Sequence, residues 1–426
     1  MKLHSLQQWL NWLETLHPSE IELGLGRVSV VAKKLNIQSL QCPVITVAGT
    51  NGKGSTVAAL STFIAAQGHS VGVYSSPHLL RFNERICINQ QQVADDQLCE
   101  AFSVIEKIRE HITLTYFEYT TLAALYCFTQ AKVDYVVLEV GLGGRLDAVN
   151  IVDPDISIIT NIALDHQQWL GDNREDIGRE KAGIARYKTP LLYGEADIPN
   201  SILAVAEALE TELLRAGDDF VFECAKDAVT WRFKGSDGSD TEITTAIPQL
   251  PLPSVALALQ ALALLKLDVD RQQLINVIGQ LALPGRFQMI NYADRQWILD
   301  VAHNPAAAIS LADKLAADKH AGDTHIVLAM LADKDETGVV AQLAASITGN
   351  WMLAGLDTNR ALSAAKLNSI VELFDVSCIE QTKDVAAALS KVLLSSKTGD
   401  RVVVTGSFYT VAAALEWFID KGELSE

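Results

Sequence analysis

Residues 44–56 read Val44-Ile45-Thr46-Val47-Ala48-Gly49-Thr50-Asn51-Gly52-Lys53-Gly54-Ser55-Thr56. A short apolar run, the pattern of a buried strand, breaks into glycines, one lysine and hydroxyl residues. A helical pattern then runs from Ser55 to Ala66. Glycines let backbone N–H groups turn towards phosphate oxygens, and the N-terminus of the following helix adds partial positive charge. In such a loop Thr50, Asn51, Gly52 and Gly54 surround the phosphates of ATP, and Lys53 reaches the β- and γ-phosphates. Ser55 or Thr56 offers a hydroxyl to Mg²⁺. The stretch departs from G-x-x-x-x-G-K-[ST], with Val47 in place of the first glycine and Gly54 in place of the residue after the lysine. A plain glycine-rich turn is the alternative, and the strand–loop–helix context with its lysine argues against it.

The same alternation continues outward. Val71 to Tyr74, Asp134 to Val140 and Ile156 to Thr160 are further apolar strands, and Phe117 to Thr129 is helical. Continuous apolar strands separated by helices imply a mostly parallel sheet covered on both faces. Val221 to Glu223 and Val229 to Phe233 read as short antiparallel strands, followed by helices over 254–265 and 271–280. Leu283-Pro284-Gly285-Arg286-Phe287 ends that region. A second α/β series follows, with strands over 297–301, 324–329, 351–354 and 401–405. The expected fold is α/β: an N-terminal P-loop ATPase domain over 1–285 and a smaller C-terminal Rossmann-like α/β domain over 286–426.

With 52 acidic and 34 basic residues the net charge is −18. This excludes a general nucleic-acid surface and docking on anionic lipid. A chain this acidic must gather positive charge locally to bind ATP or another anion. The cysteines Cys42, Cys87, Cys99, Cys127, Cys224 and Cys378 form no C-x-x-C pair and read as reduced thiols. The histidines show no H-E-x-x-H spacing. The N-terminal MKLHSLQQWLNWLETL is an amphipathic helix pattern rather than a signal peptide, and no apolar run is long enough to span a bilayer. The expectation is a cytoplasmic protein.

Further motifs stand in order along the chain. Ile21-Glu22-Leu23-Gly24 comes first, then Tyr74-Ser75-Ser76-Pro77-His78-Leu79 and Arg81-Phe82-Asn83-Glu84-Arg85-Ile86. Thr115-Tyr116-Phe117-Glu118-Tyr119 opens a helix, and Glu139-Val140-Gly141-Leu142-Gly143-Gly144-Arg145-Leu146-Asp147-Ala148 ends a strand. Ala163-Leu164-Asp165-His166 and Gly178-Arg179-Glu180-Lys181-Ala182-Gly183 follow. The second half carries Pro284-Gly285-Arg286-Phe287, Asp300-Val301-Ala302-His303-Asn304-Pro305, Asp333-Lys334-Asp335 and Thr405-Gly406-Ser407-Phe408. Together with G-T-N-G-K-G-S, this series resembles the folylpolyglutamate synthase branch of the Mur ligase superfamily over nearly the whole chain. The segments 21–24 and 116–119 look like the bacterial bifunctional kind.

The resemblance implies an ATP-dependent ligase that adds L-glutamate to dihydropteroate, giving dihydrofolate, and to reduced folates. It implies two Mg²⁺ sites and a monovalent cation besides, in a monomer. A synthase that only extends folates is one rival. A Mur-type cell-wall ligase is another, but would normally carry an N-terminal nucleotide-sugar domain, and only about 43 residues precede the first strand. A non-catalytic binding protein should have lost Lys53, Glu139 or His166.

By their residues alone, Glu139 at a strand end is a metal ligand or a salt-bridged core carboxylate. Ser76 is a ligand or a turn cap, and His166 a ligand or a satisfied polar residue. Lys181, in Arg179-Glu180-Lys181, reads as part of a solvated helix face. The resemblance implies instead that Ser76 and Glu139 serve one Mg²⁺ and His166 a second, with a carbamate on Lys181 as a further anionic ligand. It places Ile21, Glu22, Leu23, Gly24, Thr115, Tyr116, Phe117, Glu118, Leu146, Asp147 and Ala148 along the pterin slot. Arg286 and Asp300 would meet ATP, and His303 the glutamate. The family run P-x-x-Q-x-x-N, whose asparagine contacts adenine, is absent, and Ser254 falls near its place.

Overall fold

The structure, a computed structural model, describes residues 3–424 apart from Glu20, Lys319, Thr348, Asp375 and Ser377; the side chains of Cys378 and Ile379 also lie outside the description. The chain forms two compact units, Met1–His78 with Phe82–Leu281 and Leu79–Arg81 with Ala282–Glu426.

In the first unit the main sheet contains β1 (Val44–Ala48), β2 (Val71–Tyr74), β3 (Ile86–Ile88), β4 (Gln91–Gln92), β5 (Tyr135–Glu139), β6 (Ile156–Ile159), β7 (Leu191–Tyr193) and β8 (Leu213–Arg215). Their spatial order is β4-β3-β2-β5-β1-β6-β7-β8. From β2 to β8 neighbours pair in parallel, and the β3–β4 hairpin adds an antiparallel edge. Every residue of β1 is buried, as is most of the helix Lys53–Ala66, which accounts for their lack of polar faces. β9 (Val221–Cys224), β10 (Val229–Lys234) and β11 (Asp240–Thr245) form a small antiparallel sheet. It packs against the helix Leu252–Leu264 through Gln260, whose amide exchanges hydrogen bonds with the Lys234 backbone. The chain moves from β1 to β2, returns to fill the gap with β5, then crosses to β6. The carboxyl end of β1 is thus a point where the winding reverses, the usual place for a ligand crevice.

The second unit holds β12 (Gln288–Tyr292), β13 (Arg295–Leu299), β14 (Thr324–Leu328), β15 (Asn350–Ala354), β16 (Cys378–Thr382) and β17 (Arg401–Thr405) in the order β12-β13-β17-β14-β15-β16. Only β12 runs antiparallel to its neighbour. Ile298, Ile326, Leu328, Trp351, Leu353 and Val403 belong to one core. The residues between them, Trp297, Leu299, Val327, Met352, Val402 and Val404, belong to another. This alternation is the two-residue period of strands buried on both faces. The α/β class and the parallel-rich sheet expected from the sequence are both present, whereas the edge strands β3, β4, β12 and β16 were not anticipated.

Candidate active site

The loop after β1 is braced by the chain that leaves β6. Thr50 N–H donates to the Asn161 carbonyl (3.1 Å), and Asn51 N–H to Asn161 Oδ1 (2.9 Å). Thr50 Oγ1 links to the Ala163 carbonyl and accepts from its N–H, at 3.1 and 3.0 Å. Thr160 Oγ1 donates to the Asn51 carbonyl at 2.6 Å. Gly49 has φ 146°, and a Cβ there would sit 1.8 Å from Thr160 Oγ1, so only glycine fits. Of these props Ala163 stands in a quoted motif, whereas nothing in the sequence marks Thr160 or Asn161 as a partner of residue 51.

Two lysines converge on this loop. Lys53 Nζ donates to the carbonyls of Gly49 (3.0 Å) and Thr50 (3.2 Å). Lys181, from the helix Arg174–Ala182, donates to the same Gly49 oxygen at 2.9 Å. The solvated face read for Lys181 is therefore incorrect, since its side chain is buried. Burial first, and the charge of Lys53 second, push the Lys181 ammonium down to about 7. Two basic side chains thus meet at the loop where the sequence led us to expect phosphates.

The hydroxyls divide between two tasks. Thr56 Oγ1 donates back to the Gly52 carbonyl at 3.0 Å, closing its own helical turn. Ser55 Oγ is buried with no hydrogen-bond partner. A buried hydroxyl left without a partner costs about 1–3 kcal/mol, and a hard cation removes that cost. Ser55, rather than Thr56, is thus the one available to a metal. At the end of β5, buried Glu139 accepts from Ser76 N–H at 3.2 Å through Oε2, bringing those two candidates together. His166 starts the short helix Gln167–Leu170 with φ 52°, a left-handed conformation that costs a non-glycine residue about 1–3 kcal/mol. Among the described residues no three His, Cys, Asp or Glu cluster as a metal site. Ser254 is buried, and its Oγ donates to the Gly52 carbonyl at 3.3 Å, placing it against the phosphate loop.

The three segments assigned to the pterin slot also meet. Gly24 N–H donates to the Leu146 carbonyl at 3.2 Å. Thr115 caps the helix Tyr116–Ala131, accepting from Glu118 N–H while Glu118 Oε2 accepts from Thr115 N–H at 2.7 Å. The functional groups of Thr115 and Glu118 thus build the helix start. Phe117 lies over Gly141, where a Cβ would approach its ring to 2.5 Å, and 5.7 Å from the Tyr74 ring. Tyr116 lies beneath the Arg85 guanidinium, 5.6 Å away, whose Nε donates to His78 Nδ1 at 2.8 Å. Asp147 is buried, accepting from Leu142 N–H (2.8 Å) and Val149 N–H (3.1 Å). Burial nevertheless pushes its carboxyl up to about 6, against the pull of those N–H groups and of Lys53. Ile21 remains exposed.

In the second unit, Asp300 accepts from Phe287 N–H (2.8 Å) and Ala302 N–H (2.9 Å), joining the turn at Gly285 to the turn before His303. Burial raises the Asp300 carboxyl, and nearby Arg286 and Lys314 oppose the rise. The Arg286 guanidinium stacks 5.0 Å over Phe408, whose ring lies 6.1 Å from His303. His303 Nδ1 is 2.9 Å from the Val301 carbonyl. Arg286, Asp300 and His303 therefore share one neighbourhood, to which Lys314 and Phe408 also belong; neither had been assigned a role from the sequence.

The profile of the Mur ligase middle domain matches residues 47–198, and that of the Mur ligase glutamate ligase domain matches 285–408. The chain is 43% identical to the dihydrofolate synthase/folylpolyglutamate synthase of Escherichia coli strain K12, over 96% of this chain and 95% of that protein. It is similar to the structure of E. coli FolC in complex with DHPP and ADP, at TM-score 0.92 and 40% identity, covering 98% of this chain and 99% of that one. It is also similar to a bifunctional folylpolyglutamate synthase/dihydrofolate synthase with Mn, AMPPNP and L-glutamate bound. There the TM-score is 0.89 with 42% identity, over 97% of this chain and 98% of that one. Among the described residues no helix is long and apolar enough to cross a membrane.

Proposed function

The chain belongs to the Mur ligases, in the dihydrofolate synthase/folylpolyglutamate synthase family, and from that premise we propose that it joins L-glutamate to dihydropteroate, giving dihydrofolate, and to the γ-carboxyl of reduced folylglutamates. ATP is cleaved to ADP and phosphate. A carboxylate does not expel oxide when an amine attacks it. Transfer of the γ-phosphoryl group turns that oxygen into a leaving group, and the glutamate amine then displaces phosphate from the acyl phosphate. Phosphoryl transfer asks the protein mainly for positioning and charge neutralisation.

The observation that carries this reading is the convergence of two lysine ammoniums on one carbonyl oxygen, that of Gly49, beside the unpartnered Ser55 hydroxyl. Burial and the charge of Lys53 disfavour a second charge on Lys181, so in this reading Lys53 meets the phosphates and Lys181 serves the metal. Thr50, Asn51, Gly52, Gly54 and Ser254 surround the nucleotide from the loop side, and Lys53 moves from the loop carbonyls to the β- and γ-phosphates. Arg286 and Asp300 contact ATP in this reading, and His303 binds the glutamate. The pterin takes the slot of Ile21 to Gly24, Thr115 to Glu118 and Leu146 to Ala148, with Phe117 as its aromatic wall and Asp147 as its polar anchor.

The residues fit Mg²⁺. Ser55, Ser76 and Glu139 would hold one ion, and His166 with Lys181 a second, with a monovalent cation beside them. When bound, the cations supply positive charge to the phosphate oxygens. Burial pushes the Lys181 ammonium down to about 7, towards the neutral amine that CO₂ requires, and its carbamate would present oxygens that a bare ammonium lacks. The free thiols of Cys42, Cys87, Cys99, Cys127 and Cys224 support a reducing, cytoplasmic setting for what we take to be a monomer.

Incubation with dihydropteroate, ATP, Mg²⁺ and labelled glutamate, with products separated by mass, tests the assignment. Dihydrofolate should form, and reduced folylglutamate should lengthen by one glutamate. ADP release should require both the acceptor and glutamate. Lys53→Ala should lose at least about 10²-fold in rate with its fold intact. Glutamate-independent ATP hydrolysis, or near-native turnover by folded Lys53→Ala, would end the proposal.

A further inference from the structure

Arg27 has no role in the reaction as described so far, yet it joins the parts of the pterin slot. Residues 21–24, assigned to that slot, have no regular secondary structure. One terminal nitrogen of the Arg27 guanidinium meets the Glu22 carboxylate. The other donates to the Glu22 carbonyl and to Glu118 Oε1, both at 3.1 Å. The second oxygen of Glu118 is occupied by Thr115 N–H, the cap of the helix that carries Phe117. A continuous series therefore runs from the segment 21–24, through Arg27 and Glu118, to the helix start. The same segment is also held by Gly24 N–H, which donates to the Leu146 carbonyl.

We propose that Arg27 is a positioning residue, which fastens residues 21–24 over the slot by bridging Glu22 to Glu118 and so sets the affinity for the pteroate. The proposal rests on the reading of this slot as the pteroate site. Its physical basis is the shape of the guanidinium. A planar fork serves two acceptors at once in fixed geometry, which the single ammonium of lysine cannot. Glu118 is buried, and without Arg27 its carboxylate loses its counter-charge. The props of the phosphate loop, Thr160, Asn161 and Ala163, take no part in this series, so ATP binding should be unaffected by its loss.

The test is steady-state kinetics on the full-length enzyme with dihydropteroate, ATP and glutamate varied in turn, beside thermal melting of each variant. Arg27→Ala should raise the KM for dihydropteroate about tenfold or more, leaving the KM for ATP within about twofold. Arg27→Lys should fall between Arg27→Ala and wild type, and millimolar guanidinium ion should lower the dihydropteroate KM of Arg27→Ala towards wild type. Glu22→Gln leaves Glu118 paired and the core untouched, so it should fold normally and still raise the dihydropteroate KM several-fold. A dihydropteroate KM unchanged in folded Arg27→Ala and Glu22→Gln overturns the proposal. So does a parallel rise in both KM values with a lowered melting temperature and no effect of guanidinium, the signature of a purely structural residue. Wild-type enzyme unable to use dihydropteroate would overturn the underlying site assignment, and this proposal with it. Normal wild-type turnover with an indifferent Arg27→Ala would overturn this proposal alone.

Discussion

Lys181 and Asp147 are both buried ionisable groups whose surroundings disfavour charge, and each makes a measurable difference. If Lys181 is carbamylated, activity should fall in CO₂-depleted buffer and return with bicarbonate. Lys181→Ala should be inactive, with acetate restoring part of the rate by supplying the missing oxygens. Lys181→Arg keeps the positive charge but cannot form a carbamate, so it should behave like alanine. A ¹³C carbonyl signal from labelled bicarbonate at Lys181 is the direct check, and an active Lys181→Arg enzyme without that signal would refute the carbamate. Asp147 concerns stability. Its carboxyl is raised from 3.8 to about 6, so between those values the folded chain holds a proton that the unfolded chain has released. That proton stabilises fully below about pH 4, and its contribution is lost as pH rises through 6, by on the order of 2–3 kcal/mol. Asp147→Asn should therefore flatten the dependence of melting temperature on pH across this window. A variant with the wild-type slope would show that another group is responsible.

At the scale of elements, the helix Tyr116–Ala131 and the end of β5 form one unit around Phe117. A Cβ on Gly141 would lie 2.5 Å from the Phe117 ring, closer than real contacts allow. Gly141→Ala should push the ring out of place and raise the KM for dihydropteroate, with ATP binding nearly unchanged. Phe117→Ala should move the same constant the same way, since an aromatic stacking contact is worth roughly 1–3 kcal/mol. The two changes should not add when combined, because they damage the same contact. Full additivity, or equal harm to ATP binding, would show that Phe117 supports the core rather than the substrate. The phosphate loop is less tolerant. Gly49→Ala drives a methyl into Thr160 at a φ that L-residues rarely adopt, and should abolish ATP binding.

At the scale of the whole molecule, each unit has its own sheet and its own core, so each has the means to melt cooperatively. Hydrogen exchange in rising urea should resolve two groups of protected strands, one containing β1 and β5 and the other β14 and β17. ADP should stabilise the group that includes the helix Lys53–Ala66, by about 2.7 kcal/mol at a hundredfold excess over its Kd. A single transition for all strands, or no shift of the first group with ADP, would contradict this. The net charge of −18 acts at the same scale. Against that background Lys53 and Lys181 meet at the Gly49 carbonyl, where the proposed function puts the phosphates.

By itself the sequence determined the α/β class, the strand–loop–helix around Lys53 and the order of its motifs. These are local matters: apolar period, glycine freedom and helix propensity act over a few neighbouring residues. Edge strands such as β3, β4 and β12 escaped because pairing with a distant partner, not their own composition, makes them strands. That Thr56 is already engaged within its own turn while Ser55 is not also needed the fold, since both are hydroxyl residues in one helical turn. Lys181 looked like a solvated residue because its sequence neighbours are charged. Only tertiary structure carries it 132 positions back along the chain to the Gly49 carbonyl, and Arg27 across 91 positions to Glu118. Burial and the facing charges set the chemistry of a side chain, and both are properties of what folds against it rather than of what precedes or follows it in the chain.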